Sequence, residues 1–376
     1  MTHQIEDMKQ LKIIISGGGS GGHIFPAVAI AKSLKQKNQN IDFLFVGAKD
    51  KMEMEKIPNE GFKIVGLWIS GFHRGEILRN LLFPFKLILS LIKSSLLIIN
   101  FKPNLVIGTG GFASGPILYI ASKFNIPTLI QEQNSYAGIT NKILSKHVDL
   151  ICVAYENMER FFPKEKIIIT GNPVRKNIIE MSKNDTDIER LYNLNSENKT
   201  VLIIGGSLGA RTINETVEKG LKKLKDNSLN VIWQTGVSFS QRANKKINEI
   251  NTKGISTHKF IKRIELAYQA ADIIVSRAGA IAISELCVLG KPTILIPSPN
   301  VAENHQYKNA QSLVNKNAAL LVKDLDANNK LVDEIINLKN NSDLMQELSS
   351  NIKKMEYKDA SKIIADHALN IVENEY

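Results

Sequence analysis

Two glycine-rich loops, each directly behind a short apolar run, lie 188 positions apart in this chain. The first reads Lys12-Ile13-Ile14-Ile15-Ser16-Gly17-Gly18-Gly19-Ser20-Gly21-Gly22-His23, and the second Val201-Leu202-Ile203-Ile204-Gly205-Gly206-Ser207-Leu208-Gly209-Ala210-Arg211. A β-branched run that ends in Gly-Gly and opens a helix suits a parallel α/β sheet. The glycines let the chain turn, and the helix N-terminus offers backbone amides to a phosphate group. Its occurrence twice, at near domain-length separation, predicts two Rossmann-like domains facing each other across a cleft. A chain of 376 residues is also too long for one ordinary core.

Strand-like runs alternate with helical patterns throughout, the mark of a doubly wound α/β architecture. In the first half the strands fall near 11–16, 41–47, 62–68, 104–108, 127–131, 149–153 and 166–170, with helices at 26–37, 114–124 and 138–146. A polar stretch over 180–199 marks the boundary. The second half restarts with strands near 201–205, 230–234, 256–260, 272–276, 293–297 and 318–322, and helices at 210–224, 240–250, 280–289 and 304–316.

Charge separates the halves. Residues 1–176 carry 22 Lys+Arg against 13 Asp+Glu, a balance of +9, and residues 177–376 carry 26 against 24, a balance of +2. The basic half should face an anionic partner, such as a membrane surface or a phosphorylated substrate. Nucleic acid is disfavoured, because no helix-turn-helix, zinc-finger or aromatic ribonucleoprotein motif occurs. The polar start, Met1 to Gln10, does not read as a signal peptide. Cys152 and Cys287 sit in apolar surroundings and read as reduced core residues.

The stretch Ile77 to Ile99, ILRNLLFPFKLILSLIKSSLLII, is long enough to span a bilayer. Arg79, Lys86 and Lys93 interrupt it at intervals of seven, which places them near one helical face, and Pro84 should kink or restart the helix. An amphipathic helix on a membrane surface and an ordinary crossover helix buried on one face both fit.

Gly17 to Gly22 also fits G-x-G-x-x-G, but the acidic residue that a dinucleotide site needs after the second strand is missing, Asp50 coming late. His23 follows the last glycine. At a helix start the dipole disfavours its protonated form, so it reads either as a base or as a capping and packing residue. Another glycine-rich turn, Gly108 to Pro116, follows the strand Leu105-Val106-Ile107. Gln131-Glu132-Gln133-Asn134 closes the next strand, and polar residues at the carboxyl end of a buried strand point to a site. Glu132 reads as a general base, as a ligand for a substrate hydroxyl or amide, or as a carboxylate capping helix 136–146. Arg175, in Asn172-Pro173-Val174-Arg175, could reach a diphosphate.

In the second half, Gly205-Gly206-Ser207 should meet a phosphate, and no Walker lysine follows, so a P-loop NTPase is excluded. Glu285, on the first turns of the helix after Ser276-Arg277-Ala278-Gly279, could accept both hydroxyls of a ribose. Gln306 comes after strand 293–297 at the same edge. Asp185-Thr186-Asp187 and Asp324-Leu325-Asp326 read as solvated charges, with no metal requirement.

GGGSGGHIFPA, GTGGFASGP, QEQNSYAGITNK, TGNPVR, GGSLGAR, SRAGAIAISE and ENHQYKNA stand in an order and spacing that resemble the MurG family over about residues 11 to 370. The resemblance implies a GT-B fold of class α/β, with an acceptor- and membrane-facing domain over 1–176, a UDP-sugar domain over 177–356 and a helix over 357–376 that crosses back. It implies inverting transfer of N-acetylglucosamine from UDP-N-acetylglucosamine to the 4-hydroxyl of the muramoyl sugar of lipid I (undecaprenyl-diphospho-muramoylpentapeptide), giving lipid II for peptidoglycan, with no cofactor and no metal. The binding positions it implies are Ser20, Gly21, Gly22, Asn134, Arg175, Ser207, Ile261, Ala280, Ile281, Ala282, Ile283, Ser284, Glu285 and Gln306. The Ile261 main chain would read uracil, Glu285 would hold the ribose, and the first loop would accept the acceptor diphosphate and sugar. His23 and then Glu132 are the base candidates. A surface around Ile77 to Leu87 would rest on anionic lipids of the cytoplasmic leaflet of the inner membrane. Other cell-wall synthesis proteins are expected partners, and nucleic acid is not.

Three departures stand out. Ser20 replaces a common threonine and keeps the hydroxyl. Gln131 replaces a common histidine, and 71–76 (GFHRGE) departs from the common glycine- and arginine-rich form. The rival readings are a UDP-N-acetylglucosamine 2-epimerase, which needs no lipid acceptor, and a peripheral membrane scaffold that binds nucleotide sugar without turnover.

Overall fold

The computed structural model of the chain describes residues 10–71, 80–181, 188–250 and 253–373. Two compact units divide it: one runs to Val174 and takes in the chain from Asp359 onward, and the other spans Arg175–Lys358.

The first unit is built on seven parallel strands: β1 (Leu11–Ser16), β2 (Ile41–Ala48), β3 (Lys63–Leu67), β4 (Leu105–Gly108), β5 (Thr128–Glu132), β6 (Leu150–Val153) and β7 (Ile167–Ile169). Their order is β3-β2-β1-β4-β5-β6-β7. Alternation along β1 feeds both faces of this sheet. Ile13 and Ile15 join a cluster with Ile24, Leu34 and Phe45, while Ile14 joins Val106, Ile117 and Leu144 on the other face. Ile364, Ala365, Ala368 and Val372 of the last helix, Ala360–Glu373, complete the first cluster.

The second unit repeats the plan with six parallel strands: β8 (Lys199–Ile204), β9 (Leu229–Gln234), β10 (Ile255–His258), β11 (Ile273–Ser276), β12 (Thr293–Leu295) and β13 (Leu320–Leu321), in the order β10-β9-β8-β11-β12-β13. Val201 and Ile203 pack with Ile213, Val217 and Trp233 under helix Arg211–Asp226. Both sheets follow the Rossmann order, in which the sequence of strands reverses beside the first. The crevice at that reversal is where α/β sheets bind ligands.

Several sequence expectations shift. The first helix begins at Gly21, not near 26, and Pro26 lies inside it. Proline so close to a helix start removes a single intrahelical amide bond, which the remaining turns tolerate. Asp324 is not a solvated charge: it pairs with Arg277 and accepts from Thr212 Oγ1 at 2.9 Å, with side-chain exposures of 14% for Arg277 and 13% for Asp324. Desolvation of both groups demands that pairing. Asp185-Thr186-Asp187, Arg79 and most of 71–76 lie outside the described residues.

Pro84 does restart a helix, at the second position of Phe83–Phe101. This helix is inverted relative to an ordinary amphipathic one. Ser90 and Ser94 are buried, whereas Phe85, Ile88, Leu89, Ile92, Leu96 and Ile99 are exposed. Its two lysines fold back on the segment behind β3. Lys86 donates to Ser70 Oγ at 3.2 Å and lies 5.6 Å from the Trp68 ring, and Lys93 donates to Gly66 O at 2.8 Å.

Candidate functional site

In the first unit, β1 and β4 are neighbours in register, Ser16 opposite Gly108, so their two glycine turns emerge side by side. The turns touch. Gly18 N–H donates to Gly110 O at 3.4 Å, and a Cβ on Gly111, whose φ is +83°, would fall 2.4 Å from Gly18 O. Only glycine fits there. His23 is held between the turns: its Nδ1 lies 2.8 Å from Gly18 O and 3.2 Å from Ser20 Oγ, and Thr109 Oγ1 donates to His23 O at 2.8 Å. A carbonyl only accepts, so Nδ1 carries a proton, and the neutral form of this ring has its lone pair on Nε2. Ser20 is the N-cap, and Gly21 and Gly22 open the helix, so all three stand where backbone amides face outward from a helix start.

Glu132, at the end of β5, is 2% exposed. Its Oε1 accepts from Asn134 N at 3.0 Å and Asn134 Nδ2 at 3.2 Å. Its Oε2 accepts from Gly138 N and Asn141 Nδ2, both at 2.9 Å. Four donors occupy the usual lone-pair positions of a carboxylate, which locks the turn into helix Ile139–Leu144. Beneath it, Gln131 donates to Asn172 Oδ1 at 2.8 Å, and Gln133 donates to Thr109 O at 2.6 Å and to Gln131 Oε1. Gln131, Glu132 and Gln133 therefore form a buried hydrogen-bonded floor that joins the ends of β4, β5 and β7.

In the second unit, Ser207 is exposed on the loop after β8, and Ala280 to Glu285 form the first turns of helix Ala280–Leu289 after β11. Gly279 is its N-cap, so the amides of Ala280, Ile281 and Ala282 lie at the helix start, and Ser284 Oγ donates to Ala280 O at 3.1 Å. The side chain of Ile283 is buried.

Glu285 is 5% exposed at its side chain and is bound in a fork by Arg175, Nε to Oε1 at 2.7 Å and Nη2 to Oε2 at 2.9 Å. Tyr268 OH donates to Oε2 at 3.4 Å. Burial, then the Glu285 charge, push the Tyr268 phenol far above its ordinary range, so it acts as a neutral donor. Burial works to lower the Arg175 pKa, but the hydrogen bond and charge of Glu285 outweigh it and raise it. Gln306 turns its Oε1 to Ser298 N at 2.8 Å and shapes the loop after β12.

Two further contacts join segments that are distant in sequence. Gln234, at the end of β9, accepts Ile261 N–H at 2.8 Å and donates to Gly206 O at 3.0 Å, tying the Ile261 segment to the glycine loop. Glu53 accepts Gly19 N–H at 3.0 Å and Ala48 N–H at 2.9 Å. Only the run of polar residues at strand ends hinted at the first, and nothing at the second.

Family models agree with this layout: the glycosyltransferase family 28 N-terminal domain matches residues 13–153 and the C-terminal domain residues 200–364. The chain is 50% identical over 370 residues to the UDP-N-acetylglucosamine–N-acetylmuramyl-(pentapeptide) pyrophosphoryl-undecaprenol N-acetylglucosamine transferase of Flavobacterium psychrophilum, covering 98% of this chain and 100% of the relative. This chain belongs to the MurG family of glycosyltransferases. MurG of Acinetobacter baumannii aligns with a TM-score of 0.79 at 27% identity, over 96% of this chain and 99% of that one. That structure makes the fold GT-B. The UDP-N-acetylglucosamine 2-epimerase of Neisseria meningitidis aligns at 0.67 and 15% identity over 96% of this chain and 100% of that one, a likeness of fold alone.

Proposed function

We propose that the chain transfers N-acetylglucosamine from UDP-N-acetylglucosamine to the 4-hydroxyl of the muramoyl sugar of lipid I, with inversion, forming lipid II. The observation that carries this reading is identity of 50% across 98% of the chain to a relative named for that transfer. The two Rossmann crevices supply the chemistry. The second unit takes the donor: Ser207 and the amides at the start of helix Ala280–Leu289 meet the diphosphate, the Ile261 main chain reads uracil, and Glu285 and Gln306 hold ribose and sugar. The first unit takes the acceptor on Ser20, Gly21 and Gly22, with Asn134 nearby in sequence to the Glu132 turn.

Transfer is one displacement: the acceptor oxygen attacks the anomeric carbon as its proton leaves, and UDP departs. His23 is the base, because its Nδ1–H is committed to Gly18 O and the lone pair stands on Nε2. Glu132 organises the turn beside it. Charge that grows on the leaving diphosphate is stabilised by helix-start amides and Arg175.

The exposed apolar stripe of helix Phe83–Phe101 rests on the cytoplasmic leaflet, whose anionic lipids also suit the basic charge of the first half. That placement makes the protein peripheral to the inner membrane and open to other cell-wall synthesis proteins. The test follows radiolabelled sugar from the donor into a lipid-soluble product. Label that stays water-soluble, or conversion of the donor alone into its 2-epimer, overturns the reading.

A further inference from the structure

We propose that Glu53 is a positioning residue for the acceptor, setting the shape of the first glycine loop through the Gly19 amide. This rests on the reading that the loop receives the acceptor. Glu53 is 0% exposed and opens the short helix Glu53–Asn59 behind β2. One oxygen holds Ala48 N–H at the end of β2, and the other holds the N–H of Gly19, which is itself exposed, at φ +83°. The carboxylate thus bolts an exposed turn to a buried strand, one residue before the Ser20 N-cap. Burying a carboxylate carries a desolvation cost that an apolar side chain would not. What the carboxylate adds is a two-point acceptor that no apolar residue can supply.

The neighbouring glycines are fitted to it. A Cβ on Gly18 would fall 2.1 Å from Glu53 Oε1, and one on Gly47 would fall 2.6 Å from Glu53 Cγ. Two glycines in two separate segments therefore accommodate one carboxylate. An acidic residue does stand behind β2, as in a dinucleotide site, but it is turned to the protein's own loop rather than to a ribose.

The test compares Glu53→Gln and Gly47→Ala with the unaltered chain. Glutamine keeps the size but offers an NH2 group to one of the two backbone donors. Alanine at position 47 pushes the carboxylate from the strand side without touching the loop. Initial rates are read against acceptor concentration, and UDP affinity is read by calorimetry. Both variants should lose about 10²-fold in acceptor kcat/KM, the scale of an ångström-level misplacement, while UDP affinity stays within about twofold. Wild-type acceptor kinetics in either variant that still binds UDP overturns the proposal. So does parallel loss of UDP binding and transfer in both, which would make Glu53 a residue of general stability. Absence of transfer by the unaltered chain removes the functional reading, and this proposal with it.

Discussion

At the residue scale, the site is a set of side chains committed to particular partners, and that commitment separates roles. His23→Ala should slow single-turnover transfer by about 10²- to 10⁴-fold, the usual contribution of a positioned base, with UDP binding unchanged. Glu132→Gln should act differently. An amide cannot accept all four donors, so one buried group is left unsatisfied and unfolding by urea should come about 1–3 kcal/mol sooner. A near-wild-type rate for His23→Ala would remove its assignment. Arg175→Ala strips the fork from Glu285, whose side chain is 5% exposed. Arg175 is itself half exposed, which moderates the cost, so UDP affinity should fall about 10- to 100-fold, or roughly 1.4–2.8 kcal/mol. Little of this was legible. The types and strand-end positions of Glu132, Arg175 and Glu285 marked them, but the pairing of Arg175 with Glu285 links residues far apart in sequence. Gln234 and Glu53 act on backbone amides, which leave no pattern in side-chain order. Cys152 and Cys287 were legible from their apolar flanks, and burial pushes both thiols up to about 12.

At the element scale, helix Phe83–Phe101 carries the sharpest prediction. Phe85, Ile88, Leu89, Ile92, Leu96 and Ile99 face outward while Ser90, Ser94 and Ile98 face inward, so this stripe adds nothing to the folded core. Ile88→Asp with Ile92→Asp should leave the melting temperature within a degree or two and remove most binding to phosphatidylglycerol-containing vesicles, since each buried isoleucine contributes about 1.5–3 kcal/mol. Retained sedimentation with vesicles would exclude this face as the contact. The apolar length and Pro84 as a start are both legible along the chain. It could not orient the helix. Spacing placed the lysines on one face, but whether that face met water, lipid or protein depended on the Gly66–Ser70 segment behind β3.

At the scale of the whole molecule, the last helix belongs to the first unit. Ending the chain at Lys358 would strip Ile364 and Val372 from the core around Ile24 and Leu34. Each is worth about 1.5–3 kcal/mol of burial, so the first unit should melt earlier or aggregate, as calorimetry would detect. The stability of the second unit should be sensitive to acid. His258 is half-buried beside Tyr192, ring centroids 5.3 Å apart, and burial lowers its pKa from the ordinary 6.5. The unfolded chain takes up a proton there that the folded chain resists, so stability falls as pH drops through about 6.5 and returns above it. His258→Gln should flatten that slope in pH-dependent urea titrations.

Read alone, the chain's pattern settles the two-unit α/β plan, the position of nearly every strand and the strand-end loops of the candidate site. Those follow from short-range periodicity and glycine placement, which local sterics and burial enforce. The packed fold alone shows which face of helix Phe83–Phe101 is bare, that Asp324 is buried against Arg277, and that Glu53 and Gln234 hold the two glycine loops. Such contacts join segments brought together by the sheet order, and a hydrogen bond between distant segments is fixed by geometry rather than by any repeat along the chain.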